Sequence, residues 1–118
     1  MRILVTGSRN WNDKFLIKSE LINHTSNSSS VVTIVHGAAP GADSIAGFYA
    51  RELGFIEERH PASWSEFGRS AGYIRNKAMV DLGADICLAF IRNNSKGASM
   101  CASLAEKSGI PVKYWRKP

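Results

Sequence analysis

The residues best suited to chemistry form the run His36-Gly37-Ala38-Ala39-Pro40-Gly41-Ala42-Asp43. It stands between a β-branched stretch, Val31 to Val35, and a segment from Ser44 to Leu53 in which Ile45, Phe48, Tyr49 and Leu53 recur at helical spacing. The chain must turn sharply between the two. Gly37 and Gly41 allow backbone conformations closed to other residues, and the small Ala38, Ala39 and Ala42 leave backbone N–H groups uncovered. A helix beginning near Ala42 would aim its unpaired N–H groups and positive dipole end out of this loop, a geometry that attracts an anion. The alternative is a plain strand-to-helix turn in which Asp43 only caps the helix.

Other residues could serve the same chemistry. Arg9 follows the turn Gly7-Ser8, where its guanidinium would form a bidentate pair with phosphate or simply be exposed. Arg75 and Asn76 face the same choice near the start of a later helix. Lys96, Gly97 and Ser99 make a second candidate phosphate turn. Trp11 and Trp64 either stack on a base or pack in the core. His36, at a strand end, is given a positioning role. Asp43 either bonds a ribose hydroxyl or caps its helix, and it must be offset from any phosphate that it would repel.

The elements that position these residues alternate. Strands are expected at Arg2–Thr6, Val31–Val35, Phe55–Arg59, Ala84–Ile91 and from Pro111 to Trp115. Helices are expected at Asp13–His24, from Ala42 to Leu53, at Glu66–Leu82 and at Ala98–Ser108, with Gly68 and Gly72 weakening the third so that it could begin nearer Gly72. This is the pattern of an α/β Rossmann-like fold, a five-stranded, mainly parallel sheet with helices on both faces. In such a sheet the turns leaving the strands share one edge, where ligands bind near the topological switch point. All the clusters above fall on that edge.

The 118 residues suit one domain, 1–118, with a single core. The formal charge of +5 favours anionic partners, nucleotide or nucleic acid, without choosing between them. Cys87 and Cys101 lie in apolar runs without a C-x-x-C pair and read as reduced core thiols. The apolar run after Met1-Arg2 is too short for a signal peptide or a membrane span, so a cytoplasmic, non-membrane protein is expected. No cofactor motif is evident, although magnesium bound to a ligand phosphate would leave little trace. Lys113-Tyr114-Trp115-Arg116-Lys117 interleaves basic and aromatic residues, which reads as a nucleic-acid contact or as a last strand with a soluble tail.

Five spaced motifs occur in one order: Thr6-Gly7-Ser8-Arg9, His36-Gly37 through Gly41-Ala42-Asp43, His60-Pro61-Ala62-x-Trp64, Ala71-Gly72-x-x-Arg75-Asn76-x-x-Met79, and Gly83-Ala84-Asp85. Together they resemble the small YspA-like, YpsA-related proteins of the SLOG superfamily over nearly the whole chain. The resemblance implies a Rossmann-like sheet holding a nucleotide or nucleotide-derived molecule of the ADP-ribose or NAD-derived type, and a homo-oligomer. The superfamily includes Lonely Guy phosphoribohydrolases, the DNA-processing protein A fold and ligand sensors of bacterial and phage conflict systems. Arg75-Asn76-Lys77-Ala78-Met79 is similar to the phosphoribohydrolase Arg-Lys-x-x-Met segment, but the glutamate expected after the Gly-rich turn is missing at Lys96–Cys101. The expected function is therefore binding of a nucleotide-derived signal for sensing or sequestration. The enzymatic alternative is N-glycosidic or phosphoribosyl cleavage, with Arg75 on phosphate and Asp43 or Glu66 as the carboxylate. A third reading is nucleic-acid binding.

Overall fold

The computed structural model describes all 118 residues. Its strands are β1 (Arg2–Gly7), β2 (Thr33–His36), β3 (Ile56–Arg59), β4 (Ile86–Arg92) and β5 (Val112–Lys117). Between them run α1 (Lys14–Thr25), α2 (Ala42–Glu52), α3 (Trp64–Phe67), α4 (Ala71–Asp81) and α5 (Lys96–Lys107). The five strands form one sheet in the order β3-β2-β1-β4-β5, and every pairing is parallel.

Strand periodicity explains how the two faces are covered. Ile3, Val5, Ile34, Leu88 and Phe90 point to one side and pack with Ile17 and Leu21 of α1 and with Ala42, Ala46 and Ala50 of α2. Their neighbours Leu4, Val35 and Cys87 point to the other, against Met79 and Val80 of α4 and Cys101 and Ala105 of α5. Strands buried on both faces are apolar without alternation, as β4 is. Small Ala98, Cys101, Ala102 and Ala105 form the buried stripe of α5. Both cysteines are reduced and buried, and burial pushes their thiols up, that of Cys101 to about 11. No helix is long and apolar enough to cross a membrane.

The expected helix from Glu66 to Leu82 is broken. Four residues of α3 end at Gly68, whose φ of 56° reverses the chain; one 3-10 turn follows, and the regular helix starts at Ala71. The helix α5 begins two residues earlier than expected, at Lys96. Trp11 is a core residue, 3% exposed, with its ring edge-on to Phe90 at 5.5 Å and its indole N–H donated to the Asp13 carbonyl. On the other side of Phe90 the Trp115 ring stacks at 4.8 Å. Trp11 thus stabilises the sheet edge and offers no face to a ligand, because the turn after β1 folds it under α1.

Strand order reverses between β1 and β4, so the turns after these two strands diverge and leave a crevice. Gly7 lets the crevice close at its base: a Cβ there would stand 2.2 Å from the Ala42 Cβ and 2.7 Å from the Phe90 carbonyl oxygen, both on rigid elements. Replacing Gly7 by alanine is expected to destabilise the protein by about 2–3 kcal/mol through this overpacking. Gly97→Ala, where a Cβ meets nothing within 4 Å, is expected to be neutral or stabilising by about 0.5 kcal/mol. Denaturant unfolding of the two variants checks the opposite signs.

Candidate functional site

Three turns meet at the carboxyl edge of the sheet. Ser8 joins two of them: its Oγ accepts from the Arg92 amide at 2.7 Å and donates to the Arg92 carbonyl at 3.2 Å, tying the end of β1 to the end of β4. The Ser8 carbonyl accepts from Trp11 at 3.1 Å and from Ala42 at 3.2 Å, which brings in the start of α2. Gly41 makes this approach possible. Its φ is 77°, and a Cβ would lie 2.3 Å from the Ser8 oxygen. Ser8, Gly41 and Ala42 therefore build the site without lining its cavity.

The loop after β2 is closed on itself. The Gly37 and Ala39 amides donate to Asp43 Oδ2 at 3.0 and 3.3 Å, and the Ala38 amide donates to His36 Nδ1 at 3.0 Å. The Ala42 amide is taken by Ser8. The expectation of uncovered N–H groups is thus corrected for residues 37–39, whose amides the side chains of this same run satisfy, while the Asp43 and Ser44 amides in the first turn of α2 keep no partner. Asp43 does not cap α2 either; no side chain does. His36, accepting at Nδ1, carries its proton on Nε2 and donates it to Glu57 Oε2 at 2.6 Å. Burial works to raise the Glu57 carboxyl, yet the hydrogen bonds from His36 and Arg51 outweigh it and hold the group below its usual range.

A second brace holds the end of β3. Arg2 makes a bidentate pair with Glu58 at 2.8 and 2.9 Å, and His60 bonds Glu58 Oε2 at 2.7 Å. The hydrogen bond from Arg2, followed by that from His60, lowers the Glu58 carboxyl to about 2. From here the chain runs through Pro61 into α3.

Above these supports lies a cavity of about 560 Å³ at the β1/β4 switch point. The β1 turn contributes Gly7, Arg9 and Asn10, the α2 side Ala39 and Asp43, and the β4–α5 turn Arg92, Asn93, Ser95 and Gly97. The wall also includes Trp64 of α3, Arg69 of the 3-10 turn, and Tyr73, Arg75 and Asn76 of α4. Four arginines face one carboxylate, and none of the four has a salt-bridge partner. The first turn of α5 has no side-chain cap, and Ser95, Gly97 and Ala98 bring its end to the cavity wall. The end of α5 therefore adds an uncapped, anion-attracting helix terminus to the cavity wall, while α2 also supplies the carboxylate.

Arg75 spans the supports and the cavity. Its guanidinium donates to Asn76 Oδ1 at 2.7 Å and to the Gly37 carbonyl, and a Cβ on Gly37 would strike it. Asn76 in turn reaches Met100 Sδ at 3.7 Å. A recess of about 190 Å³ adjoins the cavity, sharing Arg9, Trp64 and Arg75 with it. Trp64 is 51% exposed and available for stacking.

The expected residues thus divide. Gly7, Arg9, Asp43, Trp64, Arg75, Asn76 and Gly97 come together at the cavity, and Gly37 lines the recess. Trp11, His36, Ser8, Gly41 and Ala42 lie outside, as do Lys96, Ser99 and Glu66. Glu66 is exposed on α3. Sequence reasoning missed Arg69, Tyr73 and Arg92. Arg92 carried a signal, closing an apolar strand before a polar turn; Arg69 enters only because the helix breaks at Gly68. No group of three or more His, Cys, Asp or Glu side chains is arranged to hold a metal.

The family model described as YspA, cpYpsA-related SLOG family matches residues 1–67, more than half of the chain. The chain belongs to that family. The Gene 61 protein of Mycobacterium phage D29 is 43% identical over 116 residues, which cover 94% of this chain and 93% of the relative. The SLOG family model reaches from β1 through α3, so the second relation also covers Arg69, Arg75 and the β4–α5 turn. At a coarse level the family points to nucleotide-ligand binding.

The β3 brace of this SLOG chain makes acid stability measurable. Glu58 is held ionised far below the value of an unfolded chain, so its contribution is complete above about pH 4.5 and is lost as pH falls toward about 2. Glu58→Gln is expected to remove on the order of 2 kcal/mol at neutral pH, after allowance for screening of a partly exposed pair. The variant should be correspondingly flatter between pH 4.5 and 2, as followed by thermal melts.

Proposed function

We propose that the switch-point cavity binds a nucleotide-derived molecule of the ADP-ribose or NAD-derived type, for sensing or sequestration. The observation that carries this reading is the set of Arg9, Arg69, Arg75 and Arg92, none paired with an Asp or Glu side chain, around one cavity that also holds an exposed tryptophan. Guanidinium groups suit phosphate because they donate two parallel hydrogen bonds, and the half-exposed Trp64 suits the face of a base. The uncapped end of α5 adds backbone N–H groups to the phosphate side. A magnesium ion would enter as a companion of the ligand phosphates. Similarity to a phage protein supports a role in phage–host conflict.

One observation favours an enzymatic second reading. Asp43 is the cavity's carboxylate, burial pushes its carboxyl above the usual range against the Ala39 and Gly37 amides, and such a group suits proton transfer. Glu66 has no place in that reading, being outside the cavity. The nucleic-acid reading has less support: Trp115 stacks on Phe90 and Lys117 pairs with Asp13 at 2.6 Å, which leaves Lys113 and Arg116 as the exposed basic groups of that segment.

Calorimetric titration with ADP-ribose tests the proposal. Arg9→Ala and Arg69→Ala remove side chains with no structural partner, so each should leave the melting temperature unchanged and weaken binding roughly tenfold, the size of one charge-assisted pair. Wild-type affinity should also fall with added salt. Absence of binding by ADP-ribose and NAD alike would overturn the reading. Chromatography of the same samples separates the two activities: unchanged nucleotide supports binding alone, and released base makes the protein a hydrolase.

A further inference from the structure

Asp43 lies in the first turn of α2 with 6% of its surface exposed, and its two oxygens are treated differently. Oδ2 accepts two backbone hydrogen bonds, from Gly37 and Ala39. Oδ1 is buried with no hydrogen-bond partner, on a residue that lines the cavity. Buried polar atoms are almost always paired, and an unpaired carboxylate oxygen is among the costlier groups a fold can retain. It marks a position completed by something other than this chain.

The surrounding charges restrict what that partner is. Phosphate is drawn to the arginines and repelled by a carboxylate, so Oδ1 takes an N–H or O–H donor from an uncharged part of the ligand. Depth restricts it further. Trp64 is half-exposed at the cavity mouth and offers a ring to the base, whereas Asp43 is on the buried side, close enough to Arg75 to feel its charge. In a nucleotide the donors nearest the phosphates are sugar hydroxyls, and the N–H groups of the base lie beyond the sugar. We infer that Asp43 Oδ1 accepts a hydrogen bond from a ribose hydroxyl and so makes Asp43 the residue that separates ribonucleotides from analogues lacking that hydroxyl. The inference rests on the nucleotide reading above and adds to it the sugar and its orientation.

The test compares ADP with 2′,3′-dideoxy-ADP on the wild-type protein and on Asp43→Asn, by calorimetry. The asparagine oxygen can keep the bonds from Gly37 and Ala39, leaving an NH₂ group where the unpaired acceptor was. Wild type should bind ADP at least tenfold more tightly than the dideoxy form, since a hydrogen bond to a charged acceptor is lost. In D43N the gap should shrink to about threefold or less, with dideoxy-ADP bound as well as before or better, because a charge that repels phosphate is gone. Equal binding of both nucleotides by wild type overturns the inference while the nucleotide reading stands, and so does an undiminished gap in D43N. Binding of pyrophosphate alone, with neither nucleotide favoured over it, overturns both. Should D43N not fold, the wild-type comparison still decides, and equal affinities overturn the assignment.

Discussion

The cavity exists because three backbone turns approach one another almost without side chains between them. Gly7 is wedged between the start of α2 and the end of β4, and Gly41 lies against the Ser8 carbonyl. At such range main-chain polar groups must satisfy each other. They do so through Ser8, whose amide and hydroxyl bond the end of β4 and whose carbonyl accepts from its own turn and from the start of α2. The β1/β4 crevice is held from below by these contacts, so its arginines project from a fixed rim. Large side chains at these contact points would part the strands before a ligand could arrive.

The site divides its charges in an unexpected way. The first turn of α2 and its preceding loop have the geometry of an anion cradle, but Asp43 and His36 occupy the amides of residues 37–39. Positive potential is supplied instead by four guanidinium groups and by the α5 end across the crevice. This places a carboxylate on one wall and cationic groups on the others, a polarity that orients an elongated ligand with both an anionic and a hydroxyl-bearing part. It also gives local meaning to the net charge of +5, since part of the excess is collected at one rim.

The outer strands contribute through polar networks. His36 and Arg51 bond Glu57, while Arg2 and His60 bond Glu58, so two adjacent residues of β3 hold opposite sides of that strand. Arg75 then links α4 to the loop after β2. These bonds fix the approach of α3, and with it Trp64, to the cavity mouth. Networks of this kind stabilise only when complete.

What the sequence determined by itself was the alternation of elements and the edge on which the chemistry would gather. The short apolar and β-branched runs of the strands, the 3.6-residue spacing of the helices and the short connections admit little besides a parallel sheet covered on both faces, and that topology sends every strand-to-helix turn to one rim. Arg9, Asp43, Trp64 and Arg75 were legible for that reason. Only the tertiary structure decided which donors were already in use. The closure of the 37–39 amides by Asp43 and His36, the burial of Trp11 against Phe90 and the arrival of Arg69 and Arg92 at the cavity depend on distances between residues far apart in the chain. Residue type states what a group can bond, but its partner is set by the packing that brings another group within about 3 Å of it.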